Sequence, residues 1–209
     1  IFLPIFEANN RMNDLTDWII NEVCIQLRDW QQEELLPKQV AINIPGPYLT
    51  SDRLMDVLKS TTKKYKICPK AIELEITETS FVKTIAGAEK AVNEFCKAGF
   101  SVALDDFGTG VSSLSYLKRI PVTTLKIDKS FIDDVPASTK DASIIKSVVQ
   151  LGKSLNMEVV VEGVETEEQV QFLIEHCYTP HIQGYYFAKP MKPDELLNWC
   201  RAYQTPAKA

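Results

Sequence analysis

Two spacings of apolar residues take turns along the chain. Over 13–35, Leu15, Trp18, Ile19, Val23, Cys24 and Leu27 recur at helical intervals, which predicts a helix with one buried face. Residues 40–44 form a short apolar run stopped by the Pro-Gly-Pro of 45–47, the pattern of a strand and its end. A helix from about Ser51 carries Leu54, Val57 and Leu58 as its stripe, followed by a strand over 71–76 and a helix over 82–98. Val102, Ala103 and Leu104 open a third buried strand, a short helix places Leu114 and Leu117 on one face, and 123–127 is a fourth strand. The pattern closes with a helix over 139–155, a strand over 158–161, a helix over 165–175, a strand over 182–187 and a helix over 193–203 with Pro in its first turn.

Strand and helix therefore alternate as βα units, the pattern of a parallel sheet. Each strand has a polar residue at or near its C-terminal end: Asn43, Glu75, Asp105 with Asp106, Lys126, Glu162 and Gln183. Within 72–76, Glu73 and Glu75 share one face while Ile72, Leu74 and Ile76 share the other. An open doubly wound sheet would gather such groups near one switch point. A contribution from every strand is what a barrel with its site on the C-terminal face predicts. The expected fold class is α/β, a TIM-barrel-like (β/α) barrel.

Composition narrows the partners. The 209 residues mix both charge signs with ordinary apolar content, which fits one domain with a substantial core. A net charge of −5 argues against a nucleic-acid polymer or an anionic membrane surface as partner, so an anionic substrate would need bound cations. The five cysteines are scattered without a CxxC pair, which fits a reducing compartment and small buried side chains. No apolar run reaches membrane-spanning length, and no signal-peptide pattern is present. The opening IFLPIFEANN begins abruptly in apolar text, as if cut from a longer protein.

The chemistry concentrates in residues 101–132. Asp105 and Asp106 end a buried strand, a Phe-Gly-Thr-Gly turn follows, and the next strand delivers Lys126 and Asp128. Adjacent carboxylates at a strand end call for a nearby cation or donors, which suggests a site for a metal and a phosphate. A solvated turn capping a helix is the bland alternative. Carboxylate and amide oxygens, with no cysteine pair and no histidine at a strand end, select Mg²⁺, Mn²⁺ or Ca²⁺ over zinc. Several carboxylates with one lysine suit two-metal hydrolysis of a phosphodiester, Lys126 adding positive charge near the attacking water or the scissile phosphate. Lys126 could equally be an ion pair with Asp105 or Asp128 that holds the barrel rim. His176 and His181, in HCYTPH, are spaced poorly for zinc and read as structural.

Four blocks carry a resemblance: IELEITET (72–79), DDFGTGVSSLSYLKRIPVTTLKID (105–128), VVVEGVET (159–166) and QGYYFAKPM (183–191). In order and spacing the chain resembles the EAL domain family, bacterial phosphodiesterases of cyclic di-GMP signalling, which bears on biofilm and motility control. The resemblance implies a modified TIM barrel that uses two Mg²⁺ or Mn²⁺ ions to hydrolyse cyclic di-GMP to linear pGpG, with Ca²⁺ inhibitory. It makes Asn43, Glu75, Asp105, Asp106 and Glu162 metal ligands, with Glu162 also an assistant to the general base. Lys126 would orient the nucleophilic water, and Gln183 would hold water or substrate. Glu78 would anchor the loop after Asp106, which couples substrate binding and dimerisation to the metals. A homodimer and a cytoplasmic location, as a domain of a larger sensory or membrane-anchored protein, are further implications.

The departures are also specific. The Glu-Ala-Leu signature strand is absent, and Glu7-Ala8-Asn9 is not it, since it follows a segment resembling text downstream of that strand. Residues 1–209 are thus expected to be one EAL-type domain lacking its first two strands, with about six of eight present, one metal ligand and one arginine missing, and impaired activity. Val111 stands where the family has an aromatic residue, and HCYTPH replaces a Gly-Cys-Asp-like approach to the last strand. The alternative function is a non-catalytic module that binds cyclic di-GMP or a protein partner.

Overall fold

The computed structural model describes residues 3–33, 37–83, 85–110, 114–177 and 181–204. Val111, and Tyr178 to Pro180 of the HCYTPH segment, lie outside the described residues, as does the side chain of Leu114. Six strands run β1 (Val40–Asn43), β2 (Ile72–Thr77), β3 (Ser101–Phe107), β4 (Thr124–Ile127), β5 (Glu158–Val161) and β6 (His181–Ile182). All neighbours pair in parallel, and the spatial order is the sequence order. Among the described residues that order has no reversal and hence no switch point, and the sheet curls as a half-barrel of the TIM type with its strand ends along one rim.

The helices are α1 (Leu3–Ala8), α2 (Met12–Gln31), α3 (Gly46–Leu49), α4 (Asp52–Tyr65), α5 (Glu78–Lys83), α6 (Ile85–Lys97), α7 (Leu114–Leu117), α8 (Thr139–Ser154), α9 (Glu167–Cys177) and α10 (Pro193–Gln204). The outward residues of the strands pack beneath them. Ile72, Leu74 and Ile76 of β2 join Val102 and Leu104 of β3 in one apolar cluster with Ile20, Leu27, Leu54 and Leu58 of α2 and α4. Ile127, Val159 and Val161 form a second cluster with Ile145 and Val149 of α8 and Leu173 of α9. Each such side chain taken fully out of water stabilises the fold by roughly 1.5–3 kcal/mol. The outer layer is therefore the source of stability, and the inner face is free to be polar.

Three sequence expectations shift, the first being that of buried cysteines: Cys24 and Cys177 are buried, but Cys68 is exposed and Cys96 and Cys200 are half-buried. Trp18 is 59 % exposed, because the buried face of α2 runs through Thr16, Ile20, Cys24 and Leu27 instead. The last strand, expected over 182–187, stops at Ile182. Gln183 N–H still donates to Val161 O (2.9 Å), but beyond it the chain turns, with Phe187 N–H donating to Gly184 O (3.1 Å). The cause is a close crossing of two backbones. A Cβ on Gly184 would lie 2.0 Å from Val164 O, and Val164 O also accepts from Tyr186 N–H. Apolar content alone could not distinguish this crossing from a continued strand. Gly184→Ala should push the two segments apart and cost about 1–3 kcal/mol, read as a lower denaturant midpoint; an unchanged midpoint would show that the contact is slack.

Candidate active site

The inner face of β3 is built from small residues, and that lets its neighbours meet over it. Ala103 is paired in register with Glu75 of β2 and with Thr124 of β4. Above this low ridge, Glu73 accepts a hydrogen bond from Thr124 Oγ1 (2.5 Å), and Lys126 Nζ reaches Glu75 Oε1 (2.5 Å). Lys126 also lies 2.7 Å from Glu162 Oε1 and 3.0 Å from Asp105 Oδ1. One ammonium, 5 % exposed, thus joins carboxylates from β2, β3 and the exit of β5.

A bulge supplies the fourth carboxylate. The β3–β4 register advances from Leu104↔Leu125 to Phe107↔Ile127, three residues against two. Asp106 absorbs the extra residue in the left-handed region, φ 55°, a conformation that aspartate tolerates better than most residues. Phe107 thereby returns to the outer core, while Asp105, Asp106 and Glu162 each bring a carboxylate oxygen within 4.8 Å of the others. An unbulged strand would have turned Asp106 outward.

Four carboxylates share one ammonium here, and the electrostatics reflect it. Burial pushes the Glu75 and Glu162 carboxyls above the usual range, the Asp105 charge adds to this, and Lys126 only partly offsets it. Asp106 is raised by burial and by the charges of Asp105 and Asp128. For Lys126, burial favours the neutral amine, yet its bonds to Glu162 and Glu75 outweigh burial and hold the ammonium charged. Asp105 Oδ1 is buried, with the Lys126 ammonium 3.0 Å away as its charged neighbour. Hard oxygen donors within 4.8 Å of one another and an excess of negative charge over one ammonium fit a divalent cation held by Asp105, Asp106 and Glu162.

The remaining sequence candidates surround this cluster. Glu78 opens α5 immediately after β2 and is fully buried. Its Oε2 accepts from the N–H groups of Gly108 (2.9 Å) and Gly110 (3.4 Å), and its Oε1 accepts from Tyr116 Oη (2.8 Å). Gly108 is required there: its φ is 99°, and a Cβ would meet the Phe131 ring at 2.6 Å. Tyr116 was not legible in the sequence, being one more apolar-face residue of a short helix. Asn43 is in register with Glu75 but exposed, lining a cavity of about 840 Å³ with Met12, Thr16, Thr77 and Ser80. Gln183 lies beside Glu162 in a cleft of about 570 Å³ with Lys129, Tyr185 and Met191. His176 rests on Phe172 in α9, and His181 begins β6 beside Glu158, both apart from the carboxylate cluster.

Glu78→Gln should weaken the charged end of the bonds that hold residues 108–110. The loss of a charge-assisted buried contact is worth about 1–3 kcal/mol. Amide exchange at Gly108 and Gly110 should then quicken about tenfold or more, a factor of ten being 1.4 kcal/mol. Unchanged exchange would mean that Glu78 does not hold this turn.

The geometry meets known proteins at this point. The EAL domain family model matches residues 1–190. The signaling protein YkoW of Bacillus subtilis is 37 % identical over 196 residues, covering 93 % of this chain and 24 % of that protein. The cyclic di-GMP phosphodiesterase NbdA of Pseudomonas aeruginosa is 35 % identical over 207 residues, covering 99 % of this chain and 26 % of that protein. The chain thus spans about a quarter of the length of these relatives. Among solved structures, the PaMucR phosphodiesterase in its c-di-GMP complex, from P. aeruginosa, superposes with a TM-score of 0.88 at 32 % identity, covering 93 % of this chain and 78 % of that one. Fold, strand-end carboxylates and family match agree: the chain belongs to the EAL domain family.

Proposed function

We propose that this chain is a cation-dependent phosphodiesterase domain that hydrolyses cyclic di-GMP to linear pGpG. The observation that carries the reading is the buried Lys126 ammonium among Glu75, Asp105 and Glu162, with Asp106 beside it. Relatives named cyclic di-GMP phosphodiesterases, and a solved relative in complex with that nucleotide, support the substrate. Asp105, Asp106, Glu162, Glu75 and Asn43 would hold two Mg²⁺ or Mn²⁺ ions. Bound there, the ions supply Lewis acidity and neutralise charge on the phosphodiester.

The chain's own groups divide the remaining work. Lys126, held charged by its carboxylates, donates hydrogen bonds and a fixed positive charge beside the reacting phosphoryl group. Glu162, beside Lys126 and the Asp105–Asp106 pair, assists in taking the proton from the attacking water. The new P–O bond forms as the bond to the ribose 3′ oxygen breaks; that oxygen takes a proton from solvent to leave as a hydroxyl, and the proton removed from the attacking water returns to solvent. Glu78 fixes the 108–110 turn behind Asp106, and Gln183 offers an amide to water or substrate in the adjoining cleft. Ca²⁺, with its looser and higher coordination, would compete for the oxygens without supporting turnover. A homodimer in the cytoplasm belongs to the same reading.

Two measurements test it. Millimolar Mn²⁺ should raise the melting temperature by relieving repulsion among the carboxylates, and Asp105→Asn with Asp106→Asn should remove that rise. Lys126→Met should lower kcat for cyclic di-GMP about a hundredfold or more, about 2.7 kcal/mol, with KM little changed. Binding of cyclic di-GMP with Mn²⁺ present and no linear product would instead make this a non-catalytic binding module.

A further inference from the structure

Gln169 lies in the first turn of α9, is 5 % exposed, and uses both ends of its amide. Its Oε1 accepts from the N–H groups of Glu165 (2.8 Å) and Thr166 (3.1 Å), while Gln169 N–H donates to Thr166 Oγ1 (3.3 Å). Thr166 and Gln169 thus form a reciprocal helix cap, for which an acceptor on the side chain suffices. The other end of the amide is not needed for capping. Gln169 Nε2 donates to Ile132 O at 3.0 Å, 37 residues away in the turn after β4. One buried amide therefore ties the loop that begins at Glu162 to the turn that follows Lys126.

Other contacts place the same two segments face to face. Gly163 has φ 70°, and a Cβ on it would lie 2.4 Å from Lys129 Cγ. Glu162 N–H donates to Ile127 O (3.0 Å), and Lys129 pairs with Glu165 at 2.5 Å. The Lys129–Glu165 pair is half exposed and open to screening by salt, whereas the Gln169 tie is buried and is not. We propose that Gln169 is a positioning residue: its Nε2–Ile132 hydrogen bond sets the height of Glu162 against Lys126 and the Asp105–Asp106 pair. It acts through Glu162, without touching the reacting atoms, and the inference rests on the reading of the cluster as a cation-dependent hydrolytic site.

The substitution Gln169→Glu separates the two functions of the side chain. It keeps the acceptor that caps α9 and removes the donor to Ile132 O, leaving two oxygens face to face. Gln169→Met, similar in volume, removes both ends and serves as the second variant. Mn²⁺ alone is titrated into each protein by calorimetry, melting is recorded, and kcat and KM are measured with cyclic di-GMP. Both variants should bind Mn²⁺ about 10–100-fold more weakly and lose about tenfold or more in kcat with KM nearly unchanged, as expected when a partner behind a metal ligand is lost. Gln169→Glu should do so while melting closer to the native temperature than Gln169→Met. Native Mn²⁺ affinity and kcat in Gln169→Glu, with only a lower melting temperature in Gln169→Met, would reduce Gln169 to a helix cap and overturn the inference alone. A native protein that neither binds Mn²⁺ nor turns over the nucleotide overturns the hydrolytic reading, and this inference with it.

Discussion

Burying one ammonium among carboxylates from three strands is costly unless every partner is held at contact distance, and Lys126 shows how this fold meets that condition. Desolvating the charges costs several kcal/mol per ion, and removing one partner from such a buried set costs about 3–5 kcal/mol. Contacts of 2.5, 2.7 and 3.0 Å to Glu75, Glu162 and Asp105 require the ends of β2, β3, β4 and β5 to lie at one level. Parallel pairing in sequence order supplies that level, and the small inner residue Ala103 of β3 leaves room for side chains to cross it. The apolar outer layer supplies the stability that the polar inner face consumes.

The arrangement is nonetheless unbalanced, and the imbalance is chemically useful. A single ammonium cannot neutralise Glu75, Asp105, Asp106 and Glu162, so burial raises the carboxyls that it does not fully satisfy. Backbone features reinforce the excess: the β3 bulge brings Asp106 to the same side as Asp105, and the buried Glu78 fixes the turn beyond it. Such a rim suits divalent cations, which the net charge of −5 also attracts.

Much of this was legible in the amino-acid order, for identifiable reasons. The strands announce themselves as short apolar runs closed by breakers, and the candidate groups stand out because a polar residue ends each run. Glu75, Asp105, Asp106, Lys126 and Glu162 come together where that pattern puts them. Features that depend on contacts distant in sequence were not legible. The early end of β6 comes from Gly184 crossing Val164, and the exposure of Trp18 from the direction in which α2 meets α4. Asp106 reads locally as the last residue of a strand, and only the pairing with β4 reveals it as a bulge. Tyr116 and Gln169 resemble ordinary helix residues until their partners Glu78 and Ile132 are seen.

The central claim is that the carboxylates around Lys126 are a cation site that acts on a phosphodiester. Anomalous diffraction from crystals grown with Mn²⁺ and cyclic di-GMP tests it most directly. The account predicts anomalous peaks within coordinating distance of Asp105, Asp106 and Glu162, about 2.0–2.6 Å for hard oxygen donors, with a phosphate of the nucleotide bridging toward Lys126. Peaks elsewhere, or a nucleotide bound with Lys126 still closed onto Glu75, Asp105 and Glu162 and no metal between them, would contradict it.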